Sequence, residues 1–333
     1  MTAADPRAAD ALPRPRHIVV TGGTGFVGRA LCARLVERNG GGGGRIVVPT
    51  RRARHADGVR SLPTVEPVVA DVHDERQLAR VLAGADAVVH LVAILHGSRA
   101  DFERVHVALP ATLARACAAA GVRRVVHVSA LGVAADAPSN YLRSKAAGEA
   151  ALQAAGLALT VLRPSVIFGA GDRFLNLFAQ LQAAAPLIPL AGSDARFQPV
   201  RVDDVAAAIV AALDRPDSIG RTYELAGPVV YTLSQLVRLA GRWSGHERPQ
   251  IPLPAFAGRL QALAMELLPG EPLMSRDNVD SMSVPNVASG TLPGLAELGI
   301  TASALEAVAP GYLSGSATRA RLDRWRALAR REF

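Results

Sequence analysis

Thr21-Gly22-Gly23-Thr24-Gly25-Phe26-Val27-Gly28 follows an apolar run, His17–Thr21, and opens a segment with helical spacing over 26–38. That context turns three glycines into a specific signal. Gly22 allows a tight turn, Gly25 lets a ligand approach the backbone, and Gly28 lets the helix pack close against the strand. Free N–H groups and the positive dipole end at the helix start then favour a pyrophosphate.

The surrounding chain has the organisation such a cradle requires. Short β-rich runs at His17–Thr21, Arg45–Thr50, Val65–Ala70, Ala87–Ile94, Arg124–Ser129 and Leu157–Leu162 alternate with helix-length segments near 26–38, 74–83, 101–120 and 142–155. Repeated βα units predict an α/β protein with a doubly wound parallel sheet of the Rossmann type, because right-handed crossovers place helices on both faces. After Gly169 the pattern loosens. Helices are expected at Phe174–Ala185, Val202–Leu213 and Tyr231–Trp243, a strand at Arg221–Ala226, and one short apolar helix among the five prolines of Pro249–Pro272. The expected division is a disordered tail over 1–16, a dinucleotide-binding core over 17–170, a smaller lobe over 171–317 with some segments returning to the core, and a basic tail helix over 318–333.

Composition narrows the function. Half of the 333 residues are hydrophobic, which excludes a disordered chain. The net charge is +8, yet the basic residues are scattered and do not alternate with aromatics, so nucleic acid is not an expected partner. Cys32 and Cys117 fall in helical segments and read as buried free thiols of a reducing compartment. The first sixteen residues lack an apolar core, and no run of about eighteen apolar residues exists. A cytoplasmic protein follows as the expectation, with a peripheral place at the inner face of the membrane left open. In the last sixteen residues Leu322, Trp325 and Leu328 share one helical face amid six arginines, a pattern that suits either an anionic surface or packing on the protein itself. No metal site is expected.

The second strand ends Val48-Pro49-Thr50-Arg51-Arg52, with no acid to bind a ribose 2′-hydroxyl and two guanidinium groups able to pair a 2′-phosphate. NADP(H) is therefore expected ahead of NAD(H). Asp71, closing the third strand, either accepts from the adenine amino group or caps the helix that follows.

Of 37 basic residues only Lys145 is lysine, and it lies four residues after Tyr141. At that spacing both side chains share one helix face. A phenol with an ordinary pKa of about 10 is a poor acid–base group at neutral pH unless a neighbouring ammonium favours the phenolate, and arginine is too bulky and planar to substitute.

The glycine motif, Tyr141 with Lys145, Arg163-Pro164-Ser165-Val166-Ile167-Phe168-Gly169 and Gln198-Pro199-Val200-Arg201-Val202-Asp203-Asp204-Val205 together resemble an extended short-chain dehydrogenase/reductase of the NAD-dependent epimerase/dehydratase kind. Tyr141-Leu142-Arg143-Ser144-Lys145 and Leu273-Met274-Ser275-Arg276-Asp277-Asn278-Val279 resemble its atypical branch, which contains bacterial relatives of the nucleotide-binding accessory subunit of respiratory complex I. The resemblance spans about residues 17–313. It implies that Gly22, Thr24, Gly25, Phe26, Val27, Gly28, Arg51, Arg52, Asp71, Val72, Leu91, Val92, Ala93, Lys145, Pro164 and Val166 bind the cofactor and that Tyr141 and Lys145 are catalytic. Two positions depart from the family pattern. Leu131 stands where a Ser or Thr is usual, with Ser129 expected inside the fifth strand, and His106 replaces a helix asparagine. Two functions remain open: an oxidoreductase or epimerase-like enzyme acting on a small-molecule or quinone-like substrate, and a weakly catalytic NADP(H)-binding accessory or assembly protein linked to respiratory complex I or quinone metabolism.

Overall fold

The computed structural model describes residues 14–267, 270 and 272–314. Seven parallel strands form the central sheet. β1 (His17–Thr21), β2 (Arg45–Thr50), β3 (Val65–Val69), β4 (Ala87–His90), β5 (Arg124–Val128) and β6 (Ala158–Pro164) are joined by an edge strand, Thr222–Leu225. Their spatial order is Thr222–Leu225, β6, β5, β4, β1, β2, β3, so the order reverses between β4 and β1, where ligands enter sheets of this kind. The strands are apolar on both faces because helices cover both. Ile18, Val20, Val126 and Val128 face α1 (Phe26–Arg38) and α7 (Val202–Asp214), whereas Val19, Val88 and Val125 face α2 (Glu75–Leu82) and α4 (Leu109–Ala120). Cys32 and Cys117 lie in these two layers as free thiols, pushed up to about 12 by burial.

Two departures from the expected elements shape the site. β4 stops at His90, not Ile94, because its partners stop there: His90 pairs with Thr21 and His127, and Leu91 N–H makes the last bond, to Thr21 O. Leu91 to Leu95 thus leave the sheet. The helix expected over 101–120 is broken into α3 (Arg99–Phe102), a π-helical turn Glu103–Ala108, and α4. Pro110 has no N–H to offer the carbonyl of His106 and its ring displaces that carbonyl, which opens the turn. The freed oxygen faces Gly148 of α5 (Asn140–Gln153), where an added Cβ would stand 2.0 Å from it.

Beyond β6 the chain forms α6 (Leu175–Ala184), α7, α8 (Leu233–Ser244), α9 (Ala255–Glu266) and α10 (Arg276–Ser281), with short strand pairs between them. The proline-rich stretch holds a strand, Gln250–Leu253, paired with Ile188–Ala191, as well as the expected helix. Of the N-terminal stretch expected to be disordered, residues 14–16 are tied down: Arg14 pairs with Asp214, and the N–H groups of Arg16 and His17 donate to Asp86. Residues 1–13 and the expected tail helix over 318–333 lie outside the described residues. No helix among the described residues is long and apolar enough to cross a membrane.

Candidate functional site

The glycine turn is built to admit a ligand backbone-first. Gly22 has φ of +79°, and a Cβ on Gly28 would stand 2.5 Å from Gly22 O and the Gly23 backbone. A Cβ on Gly23 would meet Val48 of β2 at 2.8 Å. α1 begins at Phe26 after Gly25, with no side-chain cap and no acidic residue in its first turn, so its leading N–H groups remain for an anion. These are the features a dinucleotide pyrophosphate requires, and the residues present fit it.

At the far end, β2 and β3 terminate side by side, Ala70 N–H donating to Thr50 O. Arg51 and Arg52 are exposed there, and Asp71 follows β3. Asp71 is not the helix cap. Asp74 caps α2, accepting from Arg76 and Gln77 N–H, while Asp71 accepts from His73 N–H. Neither arginine touches the central cavity described next, nor do Asp71, Val72 and Val92.

A cavity of about 450 Å³ opens from the start of α1 toward Phe174, Phe197 and the segment that follows α10. Of the residues singled out in the sequence it gathers Phe26, Val27, Leu91, Ala93, Tyr141, Lys145, Pro164 and Val166. Residues that sequence reasoning missed complete the wall: Phe174 and Phe197, then Met282, Val284 and Asn286 after α10. The one available signal for the last group was the Leu273–Val279 motif just before it. The walls are predominantly apolar.

α5 delivers Tyr141 and Lys145 to one side of this cavity. Ser139 caps the helix by accepting from Leu142 N–H. Lys145 is 3% exposed and its Nζ donates to Val128 O at 2.9 Å, so burial lowers its pKa to about 8, partly opposed by Glu149 one turn on. Glu149 is itself held by a bidentate pair with Arg163. The ammonium does not depress the phenol as the spacing suggested. Desolvation pushes Tyr141 up to about 12, and its Oη has no hydrogen-bond partner among the described residues. Tyr141 is therefore a protonated phenol at neutral pH.

His106 packs edge-on against Tyr141, ring centroids 5.5 Å apart. Its Nε2 accepts from Ile94 N–H, which leaves the proton on Nδ1 to donate to Ser144 Oγ, and that hydroxyl donates to Tyr141 O. The imidazole is neutral, held near 3 by burial. Ser129, expected within β5, stands just past its end and lines the cavity; Leu131, two residues on, is 1% exposed and brings no hydroxyl. Behind Lys145 lies a pair that sequence reasoning also missed. His90 and His127 sit at one register on adjacent strands, rings 5.3 Å apart and nearly parallel, both kept neutral by burial. His90 Nε2, both nitrogens of His127 and Ser129 Oγ have no partner among the described residues.

A parallel sheet with a glycine cradle at its switch point and a Tyr–Lys pair on the neighbouring helix defines a nucleotide-binding protein of the short-chain dehydrogenase/reductase type. Residues 18–226 match the sequence profile of the NAD dependent epimerase/dehydratase family, and the chain belongs to that family. It is 33% identical over 294 residues, covering 86% of this chain and 77% of the relative, to NADH dehydrogenase (ubiquinone) 1 alpha subcomplex subunit 9, mitochondrial, of Mus musculus. It is 35% identical to the ceramide reductase of Caulobacter vibrioides over 201 residues, 60% of this chain and 61% of the relative. Among solved structures it resembles the NADPH-dependent quinone oxidoreductase QOR2 of Escherichia coli in complex with NADPH, with a TM-score of 0.70 and 21% identity over 91% of this chain and 99% of that one, a likeness of fold.

Proposed function

We propose that the protein is an NADP(H)-dependent reductase of an apolar carbonyl compound, of the quinone or lipid-ketone class. The observation that carries this reading is the protonated Tyr141 Oη, free of any described partner, in an apolar cavity shared with Lys145 and the cradle residues Phe26 and Val27. When bound, the nicotinamide supplies hydride. Tyr141 then donates a proton to the oxygen of the reduced carbon, a task a phenol held near 12 performs in the reductive direction more readily than the reverse. Lys145 offers its remaining N–H donors to the ribose hydroxyls from the same helix face. Arg51 and Arg52 bind the 2′-phosphate, and Asp71 stands at the adenine end. Sugar hydroxyls need more polar partners than these walls supply, which disfavours an epimerase acting on a nucleotide sugar. The C. vibrioides relative, named as a ceramide reductase, supports a lipid substrate.

Tyr141→Phe tests it. With NADPH and decylubiquinone as acceptor, the variant loses a hundredfold or more in kcat and keeps its NADPH affinity; unchanged turnover would overturn the assignment.

A second reading rests on Leu131 and on the long match to the mitochondrial subunit. Without the hydroxyl at that position one donor to the developing oxyanion is missing, a loss on the order of a hundredfold. In this reading bound NADP(H) stabilises an accessory or assembly protein of a quinone-reducing NADH dehydrogenase. It expects deletion of the gene to lower assembled NADH dehydrogenase, and Tyr141→Phe to restore it fully.

A further inference from the structure

The segment 275–286 forms a strap along the cavity, tied at one end to the helix that carries Tyr141 and at the other to Ser165 and Val166, just past the end of β6. At the first end Asp277, in the first turn of α10, reaches the start of α5. Its Oδ1 accepts from Asn140 N–H at 2.7 Å and its Oδ2 from Tyr141 N–H at 3.0 Å. At the other end Asn286 Oδ1 accepts from Ser165 Oγ at 2.7 Å and from Val166 N–H at 2.9 Å. Between the ties, Ser281, Met282 and Val284 face the cavity.

The ties at the α5 end are unusual in where they come from. A helix leaves its first N–H groups without partners, and the residue just before it ordinarily serves them. Ser139 does so for Leu142 alone. The N–H groups of Asn140 and Tyr141 depend on a carboxylate 136 residues or more away, supplied by the wall that a substrate touches. That carboxylate also complements the positive end of the α5 dipole, so its bonds are charge-assisted. α10 is in turn braced: Ser275 and Asn278 cap it reciprocally, Arg276 pairs with Glu266 of α9, and Asn278 Nδ2 donates to Leu95 O across the cavity rim.

We propose that Asp277 is a positioning residue for Tyr141: it fixes the pitch and rotation of the first turn of α5 from the substrate side, so that filling the cavity against the strap sets where the phenol points. The inference rests on the assignment of Tyr141 as proton donor. Asp277 does not line the cavity, and so it acts through the helix and not on the substrate.

The test compares wild type, Asp277→Asn and Asp277→Ala as full chains with NADPH, using decylubiquinone as acceptor. Asp277→Ala is expected to lower kcat tenfold or more with NADPH Kd within twofold of wild type, and Asp277→Asn, which keeps the shape and one acceptor, to fall between. Hydrogen exchange at Asn140 and Tyr141 should accelerate in both. The Tyr141 ionisation midpoint in the NADP+ complex, read as the 295 nm difference between each protein and its Tyr141→Phe counterpart, should move by half a unit or more in Asp277→Ala. Faster exchange with kcat and midpoint both unchanged would reduce Asp277 to an ordinary cap and overturn the proposal. If wild type oxidises no NADPH with this acceptor, the reductase reading fails on its own, and the midpoint alone decides whether Asp277 places the phenol. Should Asp277→Ala not fold, the isosteric Asp277→Asn carries the comparison.

Discussion

Lys145→Met removes a charge that the fold buries at a cost, and the size of that cost follows from the site. The ammonium is 3% exposed, makes one hydrogen bond to Val128 O, and has a pKa lowered from 10.5 to about 8. Such a displacement corresponds to about 3 kcal/mol against the folded state at neutral pH. Methionine has similar length and no charge, and leaving Val128 O without its partner returns about 1 kcal/mol of that. The cofactor-free variant is therefore expected to be about 2 kcal/mol more stable than wild type at pH 7. Between pH 8 and 10.5 the folded protein has released the Lys145 proton while the unfolded chain still holds it, so wild-type stability rises with pH through that window relative to the variant. The advantage of the variant should shrink to nearly nothing by about pH 10. Urea denaturation of both proteins at pH 7, 8, 9 and 10 measures it, and the absence of any other lysine makes Lys145 the only side-chain amine that can titrate there. A variant less stable at pH 7, or a difference constant across the series, would refute the account of Lys145 as a strained, buried ammonium retained for a ligand.

Replacing Arg51 and Arg52 together by Ala should weaken NADP(H) by about 1–3 kcal/mol and leave NAD(H) nearly unchanged, since only the 2′-phosphate loses charged hydrogen bonds; calorimetric titration of both cofactors checks this, and equal losses would remove the phosphate role. Gly28→Ala places a Cβ 2.5 Å from backbone that cannot yield, so a cost of at least about 2 kcal/mol in stability and loss of cofactor binding are expected from thermal melts with and without NADPH. Truncation after residue 317 tests whether the six arginines of the last sixteen residues bind an anionic surface: co-sedimentation with vesicles containing phosphatidylglycerol should fall, whereas unchanged sedimentation with a lower melting temperature would make the segment structural.

The readable parts of this protein are those written at short range. The cradle depends on three glycines within seven residues of a strand end, and the strands announce themselves as apolar runs punctuated by turns. Tyr141 and Lys145 line the same cavity because four residues make just over one helical turn. Arg51 and Asp71 could be placed because strand ends in a parallel sheet lie side by side. Where local spacing misled, distant partners were the cause. β4 looked apolar through Ile94 but ends where Thr21 and His127 stop pairing with it, and the continuous helix over 101–120 opens at Pro110 against a glycine of another helix.

The electrostatics of the site belong mainly to the tertiary structure, with Glu149, one turn along α5, as the local contribution to Lys145. An i, i+4 tyrosine and lysine suggest a lowered phenol pKa, yet the phenol is raised, because desolvation sums over every neighbour that excludes water. Those neighbours include Phe102 and His106, brought in from elsewhere in the chain. Likewise the strap of residues 275–286 carries a recognisable motif, but nothing in its spacing shows that Asp277 will meet the N–H groups of Asn140 and Tyr141. Periodicity encodes which face a residue occupies; which groups share a buried volume, and hence which protons they hold, is decided only when separate segments pack together, from some 35 residues apart for His106 and Tyr141 to more than 130 for Asp277 and Tyr141.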